Sequence, residues 1–460
     1  MDVKAKIRLS SFQIILLGFA TVIFIGAFLL ALPISSKSGE WTSLIDSLFT
    51  STSAVCVTGL VVFDTATHWT IFGQIIILIL IQIGGMGIVT VAISFALLSG
   101  KKIGLFSRGT MKEAISAPSV GGIVRLVGFI IKGIFVIELI GTLIMLPIFC
   151  KDYGVEGIWM AIFHSVSAFC NAGFDIMGTK SGDFSSLTNF SAQPVISITV
   201  MLLIVRGGIG FLVWEDVCKH KWSVKKYRTQ SKVVLLVTGL LILFPSVYFF
   251  FFEFTTLPIG ERILVSLFQA ITPRTAGFNT ASLTAISGTG LLLMIILMLI
   301  GGSPGSTAGG MKTTTVAVLF SSAISVFKKK DNAELMKRRI DDDTVKNAIT
   351  IFLMYVTLFV LGGMIMSSIE GLPIMTCLFE TASAIGTVGL TLGITPSLGI
   401  ISKIILMILM FFGRVGGLTL IYAALGGNKK QVSKLPINKK FRPLKKKTNV
   451  TKPLKRTIRK

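Results

Sequence analysis

The sequence predicts an all-α membrane protein. Four tandem units, each a span, a pore-loop half-helix and a second span, would surround one central pore. The 460-residue chain is 52% hydrophobic and only 14% charged, whereas soluble domains carry about 25% charged residues. Apolar runs of about 18 residues or more recur along it, as membrane spans require. Four shorter apolar segments lie between pairs of these runs, and they predict the re-entrant half-helices.

The four short segments share one pattern. Each opens with Phe, passes through Ser or Thr, and closes on a Gly followed by Leu or Phe; they are FTSTSAVCVTGL (49–60), FHSVSAFCNAGF (163–174), FQAITPRTAGF (268–278) and FETASAIGTVGL (379–390). About 12 helical residues cover roughly half of a 30 Å hydrocarbon core. The glycine allows the helix to stop and the backbone to turn. Four such segments predict a fourfold pore built from one chain.

The chain divides into four repeats and a tail. Repeat 1 (12–98) has a predicted first span at 12–32, a half-helix at 42–56 and a second span at 70–98, and repeat 2 (122–214) has the same three elements at 122–149, 157–170 and 194–214. In repeat 3 (233–327) they lie at 233–252, 260–273 and 288–327, and this second span is interrupted. In repeat 4 (344–425) they lie at 344–367, 373–386 and 398–425. The remaining residues, 426–460, form a basic tail that we expect to be disordered or to lie on the membrane and bind anionic lipids.

The distribution of charge predicts the orientation. Most of the 45 Lys and Arg residues lie in five segments: 1–12, 99–125, 215–232, 327–346 and 425–460. With eight spans and four re-entrant loops, all five segments fall on one side, which the positive-inside rule identifies as the cytoplasm. We therefore expect a multi-pass plasma-membrane protein with both termini cytoplasmic. The net charge of +24 does not indicate nucleic-acid binding, because no basic face carries interleaved aromatic residues.

The loop that follows each half-helix is the candidate selectivity filter. Bare backbone at membrane depth is allowed only where it lines a cavity or is buried in protein, and successive carbonyls can replace the water shell of a monovalent cation. The candidate filter residues are Val57, Thr58, Gly59, Asn171, Ala172, Gly173, Thr275, Ala276, Gly277, Thr387, Val388 and Gly389. Asp64 and Asp175 follow two of the loops, where they would either concentrate cations at the outer mouth or serve only to solvate the loops.

The chain resembles the Trk/Ktr/HKT superfamily of potassium transporters, and most of all the bacterial KtrB-type membrane subunit. The resemblance covers about residues 10–425 and is most specific at NAGFD (171–175), TAGFNT (275–280) and GGSPGSTAGGMKTTT (301–315). It implies potassium uptake, a filter with one glycine from each repeat, and a homodimer of pores. In related plant transporters a serine at the first filter glycine accompanies sodium transport. Residue 59 is glycine, which favours potassium.

The interruption of the sixth span is the candidate gate. A continuous helix cannot easily form through this stretch, because it contains five glycines and a proline. Its residues are Gly301, Gly302, Ser303, Pro304, Gly305, Ser306, Thr307, Ala308, Gly309 and Gly310. One interpretation is a structural kink, and the other is a flexible loop (301–315) that blocks the cavity beneath the filter, as the resemblance implies. Lys312 follows directly, and a lysine at membrane depth is costly and usually functional, although it could instead reach toward the cytoplasm.

Three arginines at membrane depth need partners. The resemblance implies that Arg414 faces the pore below the filter as an electrostatic barrier. The alternative is a buried pairing with Glu138 or with helix-end carbonyls. Arg274 is expected to support the third loop through hydrogen bonds to carbonyls. Arg206 replaces an apolar residue or glycine expected in the family, and we expect it near the pore wall or paired with Glu215 or Asp216.

No cofactor is expected in this chain apart from transported K⁺, with Na⁺ as a candidate activator. Its cysteines form no CxxC pair and its three histidines are scattered, so potassium is the only metal expected. The chain has no segment long enough for a soluble nucleotide-binding domain. The resemblance implies that a cytoplasmic RCK-type ring, KtrA-like and regulated by ATP/ADP or NAD(H), controls the gate.

Three alternatives remain distinguishable. A sodium-permeable or weakly selective channel would differ in rubidium against sodium flux. A membrane enzyme would need paired carboxylates, a Ser/His set or metal ligands at a common depth, which the sequence does not offer. A non-conducting accessory subunit of an ATPase complex would not need four filter glycines.

Overall fold

The computed structural model describes residues 10–91, 104–115 and 121–416, which are predominantly helical. The helices of repeat 1 are α1 (Ser11–Ala31), α2 (Leu44–Cys56) and α3 (Ile71–Met86), and α4 (Leu105–Ala114) follows. Repeat 2 contains α5 (Ile123–Tyr153), α6 (Glu156–Cys170), α7 (Pro194–Gly208) and α8 (Phe211–His220). Repeat 3 contains α9 (Thr229–Tyr248), α10 (Ile259–Ile271), α11 (Gly288–Leu299) and α12 (Thr313–Phe327), and repeat 4 contains α13 (Asp342–Glu370), α14 (Ile374–Gly386) and α15 (Ile400–Val415).

Shorter elements complete the chain. Strands β1 (Glu334–Leu335) and β2 (Arg338–Arg339) form an antiparallel hairpin between α12 and α13. A π-helical turn, Phe249–Glu253, extends α9. The remaining turns are the α-helical Thr65–His68 and Gly178–Ser181 and the 3₁₀-helical Pro33–Ser35, Thr188–Phe190, Val224–Lys226, Leu283–Ala285 and Thr395–Ser397.

Four of the described helices are long and apolar enough to cross a membrane: α1, α5, α9 with its π turn, and α13. They coincide with the four predicted first spans. The four half-helices α2, α6, α10 and α14 also lie where the sequence placed them, with ends that differ by no more than two residues. The full layout of eight spans and four re-entrant loops remains a prediction, because the second helix of each repeat is short or bent.

The second helices differ from the prediction in one respect. Only the sixth span was expected to be interrupted, but α3, α7 and α15 also end at or just before a glycine with positive φ: Gly87 (+81°), Gly210 (+94°) and Gly416 (+87°). Such angles suit glycine and stop a helix. The axes of α7 and α8 therefore meet at a 99° bend, so the helix within the predicted span 194–214 is broken near Gly210. Parts of the predicted spans 70–98 and 398–425, and the whole tail 426–460, lie outside the described residues.

The repeats close into a ring through a recurring contact. The second helix of each repeat packs on the half-helix of the next: α3 on α6, α7 on α10, α11 on α14, and α15 back on α2. Within repeats 1, 2 and 4, a hydroxyl at the middle of the half-helix donates to a carbonyl of the first helix: Ser51 to Ile23 (2.7 Å), Ser165 to Glu138 (2.6 Å) and Thr381 to Phe359 (3.1 Å). These contacts direct the C-terminal ends of all four half-helices toward one centre.

Candidate functional site

The four loops that follow the half-helices share one backbone conformation. The first residue of each has positive φ: Val57 (57°), Asn171 (61°), Thr275 (70°) and Thr387 (52°). The third residue, a glycine, has positive φ as well, between 69° and 94°. Three of the four first residues are β-branched, and such residues rarely adopt this conformation unless the surrounding structure imposes it. The repetition indicates that the loop shape is required.

Hydrogen bonds from the half-helix ends impose this shape. In repeats 1, 2 and 4 the N–H of the loop's second residue donates to a serine carbonyl five residues earlier, each at 2.8 Å: Thr58 to Ser53, Ala172 to Ser167, and Val388 to Ser383. This is the hydrogen-bond pattern of a left-handed helix C-cap. The side chains of Ser53 and Ser383 also accept from Gly59 N (3.1 Å) and Gly389 N (3.0 Å). The Ser-rich half-turn seen in the sequence is therefore the cap that shapes the loop.

Repeat 3 reaches the same loop by another route. Its segment is one residue shorter, α10 ends at Ile271, and Pro273 precedes the loop. Here Ala276 N donates to Thr272 O (3.0 Å), and the Thr272 hydroxyl donates to the carbonyl of Phe278. The loop therefore keeps its conformation despite the missing residue.

The four filter glycines meet in a closed ring. A methyl group on Gly59 would lie 2.4 Å from the Ala172 carbonyl oxygen, and one on Gly173 would lie 2.7 Å from the Gly277 Cα. In the same way, a methyl group on Gly277 would lie 2.6 Å from the Val388 carbonyl oxygen, and one on Gly389 would lie 2.1 Å from the Thr58 carbonyl oxygen. Loops 1, 2, 3 and 4 therefore follow one another around a common centre, and no side chain fits at any of the four glycines.

A cavity of about 320 Å³ opens above this ring. Its lining includes all four filter glycines together with Asp64 and Asp175. The Asp64 carboxylate already accepts three backbone hydrogen bonds, from Ala66 N (2.9 Å), Thr67 N (2.9 Å) and Phe184 N (3.0 Å), and so stabilises the local fold. Asp175 accepts from Met177 N (3.0 Å). Burial, with a further contribution from the nearby Asp64, raises the pKa of Asp175 to about 7.

The interrupted segment of repeat 3 lies directly below the ring. A methyl group on Gly309 would lie 2.1 Å from the Thr387 hydroxyl oxygen, and Thr307 Oγ1 lies 3.3 Å from the Asn171 side-chain amide. The segment packs against the lower ends of filter loops 2 and 4. Gly301–Gly310 is therefore a folded loop rather than a simple helix kink, and we refer to it as the sub-filter loop.

Backbone hydrogen bonds hold the sub-filter loop to two neighbouring repeats. Ser303 N and Thr307 N donate to the carbonyls of Gly208 (3.0 Å) and Gly207 (3.2 Å), and Phe211 N donates back to the Gly305 carbonyl (2.7 Å). Gly310 N donates to the Gly413 carbonyl (3.2 Å). The break between α7 and α8 and the end of α15 thus act as the two supports of the loop.

Arg414 adds a side-chain support. Its guanidinium donates to the carbonyl oxygens of Thr307 and Gly84, and more weakly to that of Gly85 (3.4 Å). Arg414 therefore links the sub-filter loop to the end of α3 on the opposite repeat. Of the two alternatives for its pairing, the structure shows carbonyls; Glu138 instead accepts from Gln82 (3.2 Å).

Lys312 also binds the loop. Its ammonium donates to the carbonyl oxygens of Ala308 (2.8 Å) and Gly309 (3.3 Å). Lys312 and Arg414 both line a second cavity of about 320 Å³ on the side of the loop away from the filter. The loop, Lys312 and Arg414 are thus the groups that lie between the filter ring and this lower cavity.

The other two arginines differ from expectation. Arg206 is exposed on the outside of α7, and Glu215 and Asp216 pair with Arg228 at 2.6 and 3.7 Å. The predicted pairing of Arg206 with these acids is therefore wrong, and Arg206 is not among the residues that line either cavity. Arg274 is buried beside the third loop, but it donates to the Thr238 hydroxyl (3.3 Å) rather than to the filter carbonyls.

The sequence reasoning did not identify three glycines that the loops depend on. A methyl group on Gly84, Gly207 or Gly413 would lie 2.0 to 2.1 Å from the carbonyl oxygen two residues before the filter loop it packs against: Val55, Phe169 and Ile385. They belong to glycine motifs that recur in the second helices, IGGMG (83–87), RGGIG (206–210) and FGRVGG (412–417), and glycines at such positions suit either close helix packing or the lining of a pore. The available signal was that each motif follows a filter glycine, with Gly84 and Gly413 lying 25 and 24 residues after Gly59 and Gly389, and Gly207 lying 34 residues after Gly173.

Comparison with known proteins gives consistent matches. The family described as TrkH, cation transport protein, matches residues 8–426. Potassium/sodium uptake protein NtpJ of Enterococcus hirae is 41% identical over 92% of this chain and 95% of its own length. Ktr system potassium uptake protein B of Bacillus subtilis is 37% identical over 91% of this chain and 93% of its own length. The crystal structure of the potassium transporter TrkH from Vibrio parahaemolyticus superimposes with a TM-score of 0.70 at 20% identity, covering 92% of this chain and 86% of that one.

Proposed function

Since the chain belongs to the TrkH family of cation transport proteins, a family of membrane transporters and not of enzymes, we propose that it takes up potassium across the plasma membrane through the ring of four loops. The observation that carries this proposal is the closed ring of filter glycines, in which a methyl group added to any one glycine would lie only 2.1 to 2.7 Å from the next loop. Relatives named for potassium uptake at 37% and 41% identity support it.

The filter would bind K⁺ through backbone carbonyls. The proposed ligands are the carbonyl groups of the four loops, residues 57–59, 171–173, 275–277 and 387–389, which replace the water shell of the ion. Four half-helices end at these loops, and the partial negative charge of their C-termini favours a cation at the centre. Because caps and close backbone contacts fix the loop shape, ligand positions would be set before the ion arrives.

The sub-filter loop would be the gate. In the arrangement described here it lies across the path between the filter ring and the lower cavity, held by Arg414 and Lys312. Conduction would require the loop to leave the carbonyls of Gly207, Gly208 and Gly413. Rotation or displacement of α7, α8 or α15 would release these hydrogen bonds, so those helices are the natural points of control.

The layout and assembly follow as further parts of the proposal. The four repeats would span the membrane eight times with four re-entrant loops, with both termini cytoplasmic as the charge distribution predicts. Relatives are named as members of Ktr systems, which supports a separate regulatory subunit; we propose an RCK-type nucleotide-binding ring and a homodimer of pores. The nucleotide would bind the ring and not this chain.

The test is potassium-limited growth with rubidium uptake in an uptake-deficient bacterium. The native chain should restore growth, and Gly277→Ser should lose apparent affinity for rubidium or gain sodium flux, because its side chain would strike the next loop. Gly371→Ser is the matched control, since Gly371 has a similar φ of +67° but open space around it. No uptake by the native chain, even with a ring subunit supplied, would refute a potassium pore.

Sodium permeation is the second candidate. A relative with 41% identity is named for both potassium and sodium uptake. Competition of rubidium uptake by sodium would separate the two: strong competition at equal concentrations indicates a weakly selective pore, and weak competition indicates a potassium-selective one.

A further inference from the structure

The segment 221–226, between α8 and α9, exposes an aromatic side chain among lysines. Its sequence is KWSVKK, and all six residues are exposed. The Trp222 side chain is 97% exposed and Val224 is 51% exposed. An exposed indole leaves its apolar ring in contact with water, and tryptophan side chains are enriched at the interface between membrane and water. This segment therefore has the chemistry of a membrane-surface contact.

Its position agrees with that chemistry. The Lys232 ammonium, in the first turns of α9, donates to the Lys225 carbonyl (2.7 Å), and the Tyr227 hydroxyl donates to the Lys221 carbonyl. These bonds fold the segment against the start of α9. Since α9 with its π turn is one of the helices long and apolar enough to cross a membrane, the segment lies at the membrane-surface end of a span.

The charge of the segment is available for an external partner. The nearest acids in sequence, Glu215 and Asp216, are already paired with Arg228. Juxtamembrane lysines are attracted to anionic lipid head groups, each by about fivefold in partitioning. We propose that Trp222 and the lysines at 221, 225 and 226 dock on anionic lipids of the cytoplasmic leaflet.

This docking would act on the gate, an extension that rests on the proposed function of the sub-filter loop. Helix α8 begins at Phe211, whose N–H holds the Gly305 carbonyl at 2.7 Å. The same helix is fixed to the start of α9 through Asp216, which accepts from Arg228 N (2.9 Å) and Ser231 Oγ (2.6 Å). A shift of the segment on the lipid surface would therefore move α8 and the loop that it supports.

The docking is tested with a fluorescent label at residue 222. Trp222→Cys, with the exposed Cys218 changed to serine, is labelled with an environment-sensitive fluorophore in vesicles of phosphatidylcholine with or without about 30% phosphatidylglycerol. We expect a blue shift and quenching by brominated phosphatidylglycerol. The triple variant Lys221→Gln, Lys225→Gln, Lys226→Gln should weaken docking of the segment by about 100-fold, whereas the same changes at Lys328, Lys329 and Lys330 should not.

Two results would overturn the docking. One is a label that stays accessible to aqueous iodide at every lipid composition. The other is protection that appears only when a soluble cytoplasmic protein is added, which would assign the segment to a protein partner.

Rubidium uptake in the same vesicles tests the link to the gate. The native chain should respond to phosphatidylglycerol, and the triple variant should lose that response while it retains flux. Equal native flux with and without phosphatidylglycerol would refute the link. Absence of rubidium flux from all vesicles would refute the proposed transport function instead, since the fluorescence measurement does not depend on transport.

Discussion

Replacing Arg414 with methionine should open the gate. The guanidinium donates to carbonyls of Thr307 and Gly84, which lie on the sub-filter loop and on α3. Hydrogen bonds to charged groups contribute about 1.5–3 kcal/mol each. Losing two of them should therefore raise the free energy of the closed arrangement relative to the open one by at least about 3 kcal/mol. Every 1.4 kcal/mol is a factor of ten. The ratio of open to closed pores should therefore rise by about 100-fold.

The assay is the initial rate of rubidium uptake into proteoliposomes that contain only this chain. Arg206→Met is the matched control, because Arg206 is exposed and lines neither the outer nor the lower cavity. Arg414→Lys separates two effects: lysine keeps the positive charge but cannot donate in a fork to two carbonyls. If Arg414 acts as a latch, both Arg414 variants conduct faster than the control. Equal or slower uptake by Arg414→Met would refute the latch.

Three further predictions concern the filter, its outer mouth and the closure of the ring. Gly389→Ala should lower the preference for rubidium over sodium uptake by at least about tenfold, because its methyl group would lie 2.1 Å from a carbonyl of the next loop, whereas Gly393→Ala, with a similar φ and open surroundings, should not. Native uptake at limiting potassium should fall as the external pH drops through about 7, where Asp175 gains a proton and loses its charge; Asp175→Asn should flatten this profile, and parallel profiles would contradict the role. Lys403→Met should lower the thermal midpoint in detergent by a few degrees, since it leaves Asp46, its ion-pair partner at 2.8 Å, charged and mostly buried. Adding Asp46→Asn should restore part of the loss, and no restoration would exclude the pairing as the cause.

The repeats could be predicted because their signals are local. Each half-helix is an apolar segment with a Ser or Thr in its cap and a terminal glycine in the loop that follows, and these local residues set where the helix ends and how the loop turns. The structure places the four half-helices at the predicted residues and assembles their loops into one ring. Membership of the cation transport family was likewise predictable from NAGFD and the glycine-rich stretch 301–315.

The features that were missed depend on three-dimensional contacts that the order of the residues does not display. The outward direction of Arg206 depends on the helical phase of α7 relative to the bend at Gly210, which composition does not reveal. The role of Gly207 and Gly413 depends on which half-helix they approach. The helices break at Gly87, Gly210 and Gly416, which the sequence shows only as members of repeated glycine motifs. The sequence does not distinguish a glycine that packs against a neighbouring helix from a glycine whose positive φ ends a helix.

The sub-filter loop also bears on why four repeats are fused in one chain. A pore made of four identical subunits must place every loop at its axis four times. Gly301–Gly310 already fills the space beneath the ring, where it is bonded to Gly207, Gly208 and Gly413 of two other repeats, so three further copies could not lie there. Fusion lets one repeat carry this segment while the other repeats supply its supports, so a ring of four similar loops has a single, asymmetric segment beneath it.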